Sequence, residues 1–133
     1  MREIEFRGKR IDNGQFVYGG FYQWDDKSYI IQKDFWDKNL LLAHMVEVIP
    51  ETVGEYTGLK DKNGVKIFEG DIVQTRNLDG ETNNYEVLFK TETGRFMAEN
   101  PNEIYDVIAS HFPNTEVVGT IHDNPELLKE AAR

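Results

Sequence analysis

The chain has 133 residues, a formal net charge of −9 at pH 7 and no cysteine, which excludes disulfides, thiolate catalysis and Cys-based zinc or iron–sulfur sites. Its apolar share of 39% and aromatic share of 12% suffice for a packed core, and the length suits one domain over residues 1–133. The acidic balance disfavours generic binding to a phosphate backbone.

The opening MREIEFRGKR lacks an apolar stretch, so no signal peptide is expected. Residues Glu3 to Ile11 and Gln15 to Tyr22 flank Asp12-Asn13-Gly14, a step that favours positive φ and predicts an N-terminal β-hairpin. Gly19-Gly20 predicts a bend or bulge in its second strand. Tyr29 to Gln32, after the polar turn Asp25-Asp26-Lys27-Ser28, reads as a third short strand. Lys33 to His44 fits a helical turn or an aromatic-rich loop. Its run Leu40-Leu41-Leu42-Ala43 is the longest apolar stretch, far short of the ~20 residues a membrane span needs.

Met45 to Ile49 reads as a strand that Pro50 ends by removing a donor. Ile67 to Thr75, Tyr85 to Lys90 and Arg95 to Ala98 form a meander, turning at Asn77-Leu78-Asp79-Gly80 and Thr91-Glu92-Thr93-Gly94. Ile104 to Phe112 fits helix or strand, with the spacing Ile104, Val107, Ile108 leaning to helix. Glu116 to Ile121 is a strand. A short C-terminal helix follows, with Asn124 as N-cap, Pro125 at the first helical position and Glu126 in the first turn. The fold class is mainly β, as a small SH3-like-barrel type of domain. Gly-x-x-Ile-x-x-Gly-Asp-Ile-Val, ending at Gly70-Asp71-Ile72-Val73, looks like the tight entry into such a barrel, the Asp71 carboxylate capping nearby backbone N–H groups.

The densest pattern is VIPETVGEYTGLKDKNGVKIFEGDIV over Val48 to Val73. Within it Pro50, Gly54, Tyr56, Thr57, Gly58 and Asp61 lead to Gly64, Gly70 and Asp71. The segment Val117 to Leu128, with Asn124 and Pro125, adds a further match, as does the opening with Val17-Tyr18-Gly19-Gly20. In these segments the chain resembles the YopX family, encoded mostly by bacteriophages and prophages. The resemblance spans nearly the whole chain. It implies a small β-rich accessory protein in a bacterial cytoplasm, plausible as a homo-oligomer, and carries over no catalytic residue.

The spacings that usually carry catalytic or metal chemistry do not occur. His44, His111 and His122 are scattered and form no metal motif. Asp61-Lys62-Asn63-Gly64 fails as a calcium loop, with Val65 at position five and Ile72 at position twelve. Ser28 and Ser110, the only serines, sit in no nucleophile elbow, and no Gly-rich loop leads into Lys-Ser/Thr. No cofactor is expected and the protein reads as non-enzymatic. Arg7, Lys9 and Arg10 crowd the start, whereas Phe96 to Leu128 holds six acids and no Lys or Arg. The aromatics Phe16, Tyr18, Phe21, Tyr22, Trp24, Phe35 and Trp36 cluster in the first third, mainly as core, with a minority at a subunit interface or a stacking platform. Arg7, Lys9, Arg10, Trp24 and Trp36 are therefore the candidate interaction residues. The favoured reading is self-association, with the acidic C-terminal third facing a host or phage protein. The alternative is a nucleic-acid accessory protein that uses the basic, aromatic N-terminal region; no membrane partner is expected.

Overall fold

A computed structural model of the protein describes residues 3–32, 45–76, 79–101, 104–106 and 115–131. The fold is mainly β, with one short α-helix among the described residues. The chain divides into two compact units, Met1–Tyr56 and Thr57–Arg133.

In the first unit, β1 (Phe6–Lys9), β2 (Phe16–Trp24), β3 (Lys27–Gln32) and β4 (Met45–Val48) pair antiparallel in sequence. The start of β5 (Gly54–Lys60) pairs with β1, Phe6 opposite Glu55 and Arg7 opposite Gly54. The hairpin expected at Asp12-Asn13-Gly14 forms. Gly14 takes φ 71°, its N–H donates to the Arg10 carbonyl at 2.9 Å, and the Asn13 side chain accepts from Gln15 N–H. The expected bulge at Gly19-Gly20 does not form: the register runs unbroken from Gly19–Gln32 to Trp24–Lys27. Gly19 is needed for space instead, because a Cβ there would overlap the Ile31 carbonyl oxygen.

The β2–β3 loop has two residues, Asp25 and Asp26, with φ 54° and 63°. This is the double positive φ of a type I′ turn, which Asn-Gly adopts far more readily than two L-aspartates. Changing Asp25→Asn together with Asp26→Gly is therefore expected to stabilise the protein by about 1 kcal/mol. A urea midpoint that stays put or falls would show that these aspartates serve the turn in another way.

Beyond Tyr56, β5 pairs with β6 (Lys66–Phe68). The second unit also holds a five-stranded sheet in the order β10-β9-β8-β7-β11. Its strands are β7 (Asp71–Arg76), β8 (Thr82–Lys90), β9 (Arg95–Glu99), β10 (Ile104–Asp106) and β11 (Glu116–Thr120). The run read as one strand from Ile67 to Thr75 breaks at Gly70, φ 89°, so β6 and β7 join different sheets. Ile104–Asp106, where the spacing leans to helix, is strand paired with β9. The rest of the Ile104 to Phe112 stretch, residues 107–112, lies outside the described residues. The helix-or-loop reading of Lys33 to His44 lies outside the described residues.

Helix α1 (Glu126–Ala131) follows Pro125 as expected. Asn124 acts differently from a simple N-cap. Its side-chain oxygen accepts from Thr120 N–H in β11 at 3.3 Å, while its carbonyl accepts from Leu127 N–H. The Asn124 side chain also fills the space a Cβ at Gly119 would need, beside the register shift in β11. On β8, the buried Asn84 donates to the Leu127 carbonyl and so anchors α1 to the sheet.

Each unit has its own core. Val17, Ile30 and Val48, with Phe6, Val46 and Val53, fill the first; Ile67, Val73, Tyr85, Val87 and Ala98 fill the second. Among the described residues neither sheet closes through a strand ladder, so the SH3-like barrel is not confirmed. One isolated bridge, Arg10 opposite Val48, ties the end of β1 to β4. Two backbone bonds, Ile49 N–H to Lys9 O and Ile11 N–H to Glu47 O, reinforce it.

Candidate functional site

Alternation along β2 sorts its side chains onto two faces. Val17, Gly19 and Phe21 share the core side, where Phe21 meets Phe6 with ring centroids 5.5 Å apart. Phe16, Tyr18, Gly20, Tyr22 and Trp24 share the other. Register adds Arg7 and Lys9 from β1, Lys27, Tyr29 and Ile31 from β3, and Met45 and Glu47 from β4. Tyr18 is 43% exposed, Tyr22 46% and Trp24 63%. The aromatics read from sequence as mainly core are thus divided, because a nine-residue strand with rings at alternate positions presents them all on one side.

The cations expected at a basic edge are largely engaged. Arg7 is buried, its guanidinium 4.3 Å from the Phe16 ring centroid, and Lys9 Nζ lies 5.4 Å from the same ring. Such contacts contribute about 0.5–2 kcal/mol each. Arg10 grips Asp12 in a bidentate pair, with both N–O distances 2.8 Å. Hydrogen bonding from Arg10 holds the Asp12 carboxyl below its ordinary value. Trp36 lies outside the described residues.

The motif residues between Pro50 and Asp71 occupy turns and staples. Pro50 opens a one-turn 3-10 helix, Pro50–Thr52. Thr52 Oγ1 accepts from Lys9 N–H at 2.9 Å and donates to the Ile49 carbonyl at 2.6 Å. Gly54 is buried opposite Arg7. Tyr56 is buried and its N–H donates to the Glu5 carbonyl. Thr57 Oγ1 donates to the Ile67 carbonyl, and Gly58 and Gly64 take φ 89° and 82°.

Asp61 is the busiest of them. Its Oδ1 accepts from Asn63 and Val65 N–H at 2.8 and 2.9 Å, and its Oδ2 accepts from Val117 N–H at 2.9 Å. Burial acts to raise its carboxyl, but the three N–H donors, with Lys62, outweigh it and hold the group below its ordinary value. Asp71 Oδ2 accepts from Phe68 N–H at 2.8 Å, closing the turn around Gly70. These carboxylates are spent on backbone donors.

In the second unit an open polar depression of about 280 Å³ is lined by Lys62, Gln74, Thr75, Arg76, Thr82 and Glu116. It brings together cations, amides and hydroxyls, with Glu116 accepting from the Asn63 side chain at 3.2 Å, and contains no paired base and nucleophile. Of the acidic stretch, Glu99 sits opposite Glu86 across β8 and β9 and is bound to Lys90 at 2.7 Å. Burial, with Glu99 second, pushes the Glu86 carboxyl up. Among the described residues, no three of His, Asp and Glu converge as a metal-ligand set, and no helix is long and apolar enough to cross a membrane.

The sequence singled out Trp24 but missed Tyr29 and the gap at Gly20. The signal was present as rings at every second position from Phe16 to Trp24, interrupted only at Gly20, in register with Tyr29.

The chain is similar to the crystal structure of protein EF1440 from Enterococcus faecalis, at 23% identity and a TM-score of 0.54, over 96% of this chain and 99% of that one. That likeness speaks to fold alone. No curated protein matches. The family model described as YopX protein matches residues 5–129, through both compact units. The chain belongs to the YopX family.

Proposed function

We propose that this is a non-enzymatic, phage- or prophage-derived cytoplasmic module that works by self-association. The observation carrying the reading is the outward face of β2 and β3, where Tyr18, Tyr22 and Trp24 are exposed beside Tyr29 and Ile31. Tyr and Trp enriched in one patch mark association surfaces, since each offers a large rigid contact at low entropic cost. The acidic C-terminal third is a second surface, suited to a host or phage protein.

Single-stranded nucleic acid stacked on the same rings is the second reading, favoured by Lys9 and Lys27 on that face. Against it, Arg7 and Arg10 are occupied within the chain, and the chain's net charge opposes a phosphate backbone. Sedimentation of the full chain across a wide concentration range, at low and high salt, tests the choice. Self-association through rings predicts a mass above that of one chain that survives added salt, with no retention of a labelled oligonucleotide. A single-chain mass with salt-sensitive oligonucleotide binding would reverse the order of the two readings.

A further inference from the structure

Self-association leaves open how the face is covered, and the spacing on β2 suggests an answer that rests on that reading. Trp24, 63% exposed, is a knob at the end of the strand. Gly20 is on the same face four residues back, about 13 Å away at strand rise. Nothing lies within 4 Å of where a Cβ at Gly20 would be. The gap is bounded along β2 by Tyr18 and Tyr22, and on the neighbouring strands by Ile31 opposite Gly20 and Met45 opposite Ile31. Knob and gap are equidistant from Tyr22.

We infer that the face docks onto a second copy of itself, with the two β2 strands antiparallel and each Trp24 seated over the other copy's Gly20. The two-fold axis lies between the sheets, across the strands at Tyr22. An isologous contact requires that if residue i meets j, j also meets i, and a knob and a gap placed symmetrically about one residue satisfy that with a single patch. The area is adequate. The three exposed aromatics supply on the order of 350 Å² per copy. The half-buried Phe16, Tyr29, Ile31 and Met45, with Lys27, carry the patch toward the ~800 Å² per partner of a standard interface.

The symmetry provides its own test, because exchanging knob and gap preserves the fit. Gly20 is not among the positive-φ glycines and has open space, so the fold accepts a side chain there. Four full-length chains would be compared by sedimentation equilibrium, with circular dichroism confirming that each is folded. These are the natural chain, Trp24→Gly, Gly20→Trp and the double variant. Each single change is expected to weaken association by about thirty-fold or more, as loss of a central Trp contact does, one leaving two gaps and the other two knobs. The double variant is expected to recover most of that loss. Association that ignores both single changes, or a double variant no better than the worse single, overturns the pairing while leaving self-association intact. A natural chain of single-chain mass at every concentration overturns both, and loss of oligonucleotide retention in Trp24→Gly would then assign the face to nucleic acid.

Discussion

Replacing Asp61 with alanine is expected to destabilise the protein by about 3 kcal/mol at neutral pH. The carboxylate accepts three backbone N–H bonds, two within its own turn and one from Val117 in β11. Removing it leaves donors to be solvated or orphaned, at about 1–3 kcal/mol for a buried one and less for those water can reach. Asn is a poor rescue, because its amide N–H₂ would face either Val117 N–H or the two turn donors. The effect carries a pH signature. The folded carboxyl is held below its ordinary value, so the unfolded chain takes up the proton first as pH falls through ~4. The stabilisation is full above that value and disappears as pH drops through the lowered folded one. Urea unfolding of the natural chain and Asp61→Ala should therefore differ most near pH 7 and converge as the pH falls below ~4. A gap that is constant with pH would mean the loss comes from the turn conformation alone, with no share from the ionised carboxylate.

Gly19→Ala is expected to cost about as much, some ~3 kcal/mol, by another route. Its Cβ would meet the Ile31 backbone carbonyl, which cannot rotate away as a side chain would. Relief requires pushing β3 from β2 and giving up ladder bonds, the backbone version of overpacking. Gly20→Ala next door is the internal control, since its Cβ enters open space. Denaturation in urea strong enough to hold the chain monomeric should show a large shift at Gly19 and nearly none at Gly20. Equal costs at the two positions would mean β2 does not run as close to β3 as the structure has it.

Much of the architecture was legible because turns announce themselves. Asn13-Gly14, Gly64, Gly70, Gly80 and Gly94 each take positive φ at the glycine, and short apolar runs between them became strands. The barrel reading was not confirmed, because which strands pair, and whether they close, depends on non-local contacts that a run of residues does not encode. Asn124 makes a further contact, to Thr120 in β11, that was not legible for a similar reason. The same amide can cap a helix or reach back to a strand, and here it bonds Thr120 N–H next to the register shift at Val117–Gly119. At the basic edge, Arg7 and Arg10 have partners in Phe16 and Asp12, which charge spacing alone does not display. The aromatic face was the reverse case. Its residues stood in plain view at period two, but their outward direction depends on which face of β2 the core claims, and Val17 opposite Gly8 settles that.

The most direct test of the account is whether concentration buries Trp24. In a Trp36→Phe chain Trp24 is the sole tryptophan, and its fluorescence and accessibility to a soluble quencher can be followed as the protein is concentrated. If the face docks onto a second copy, emission moves to shorter wavelength and quenching falls, in step with the rise in sedimenting mass. Rising mass with Trp24 as accessible as in the single chain, or no rise in mass at all, would contradict it.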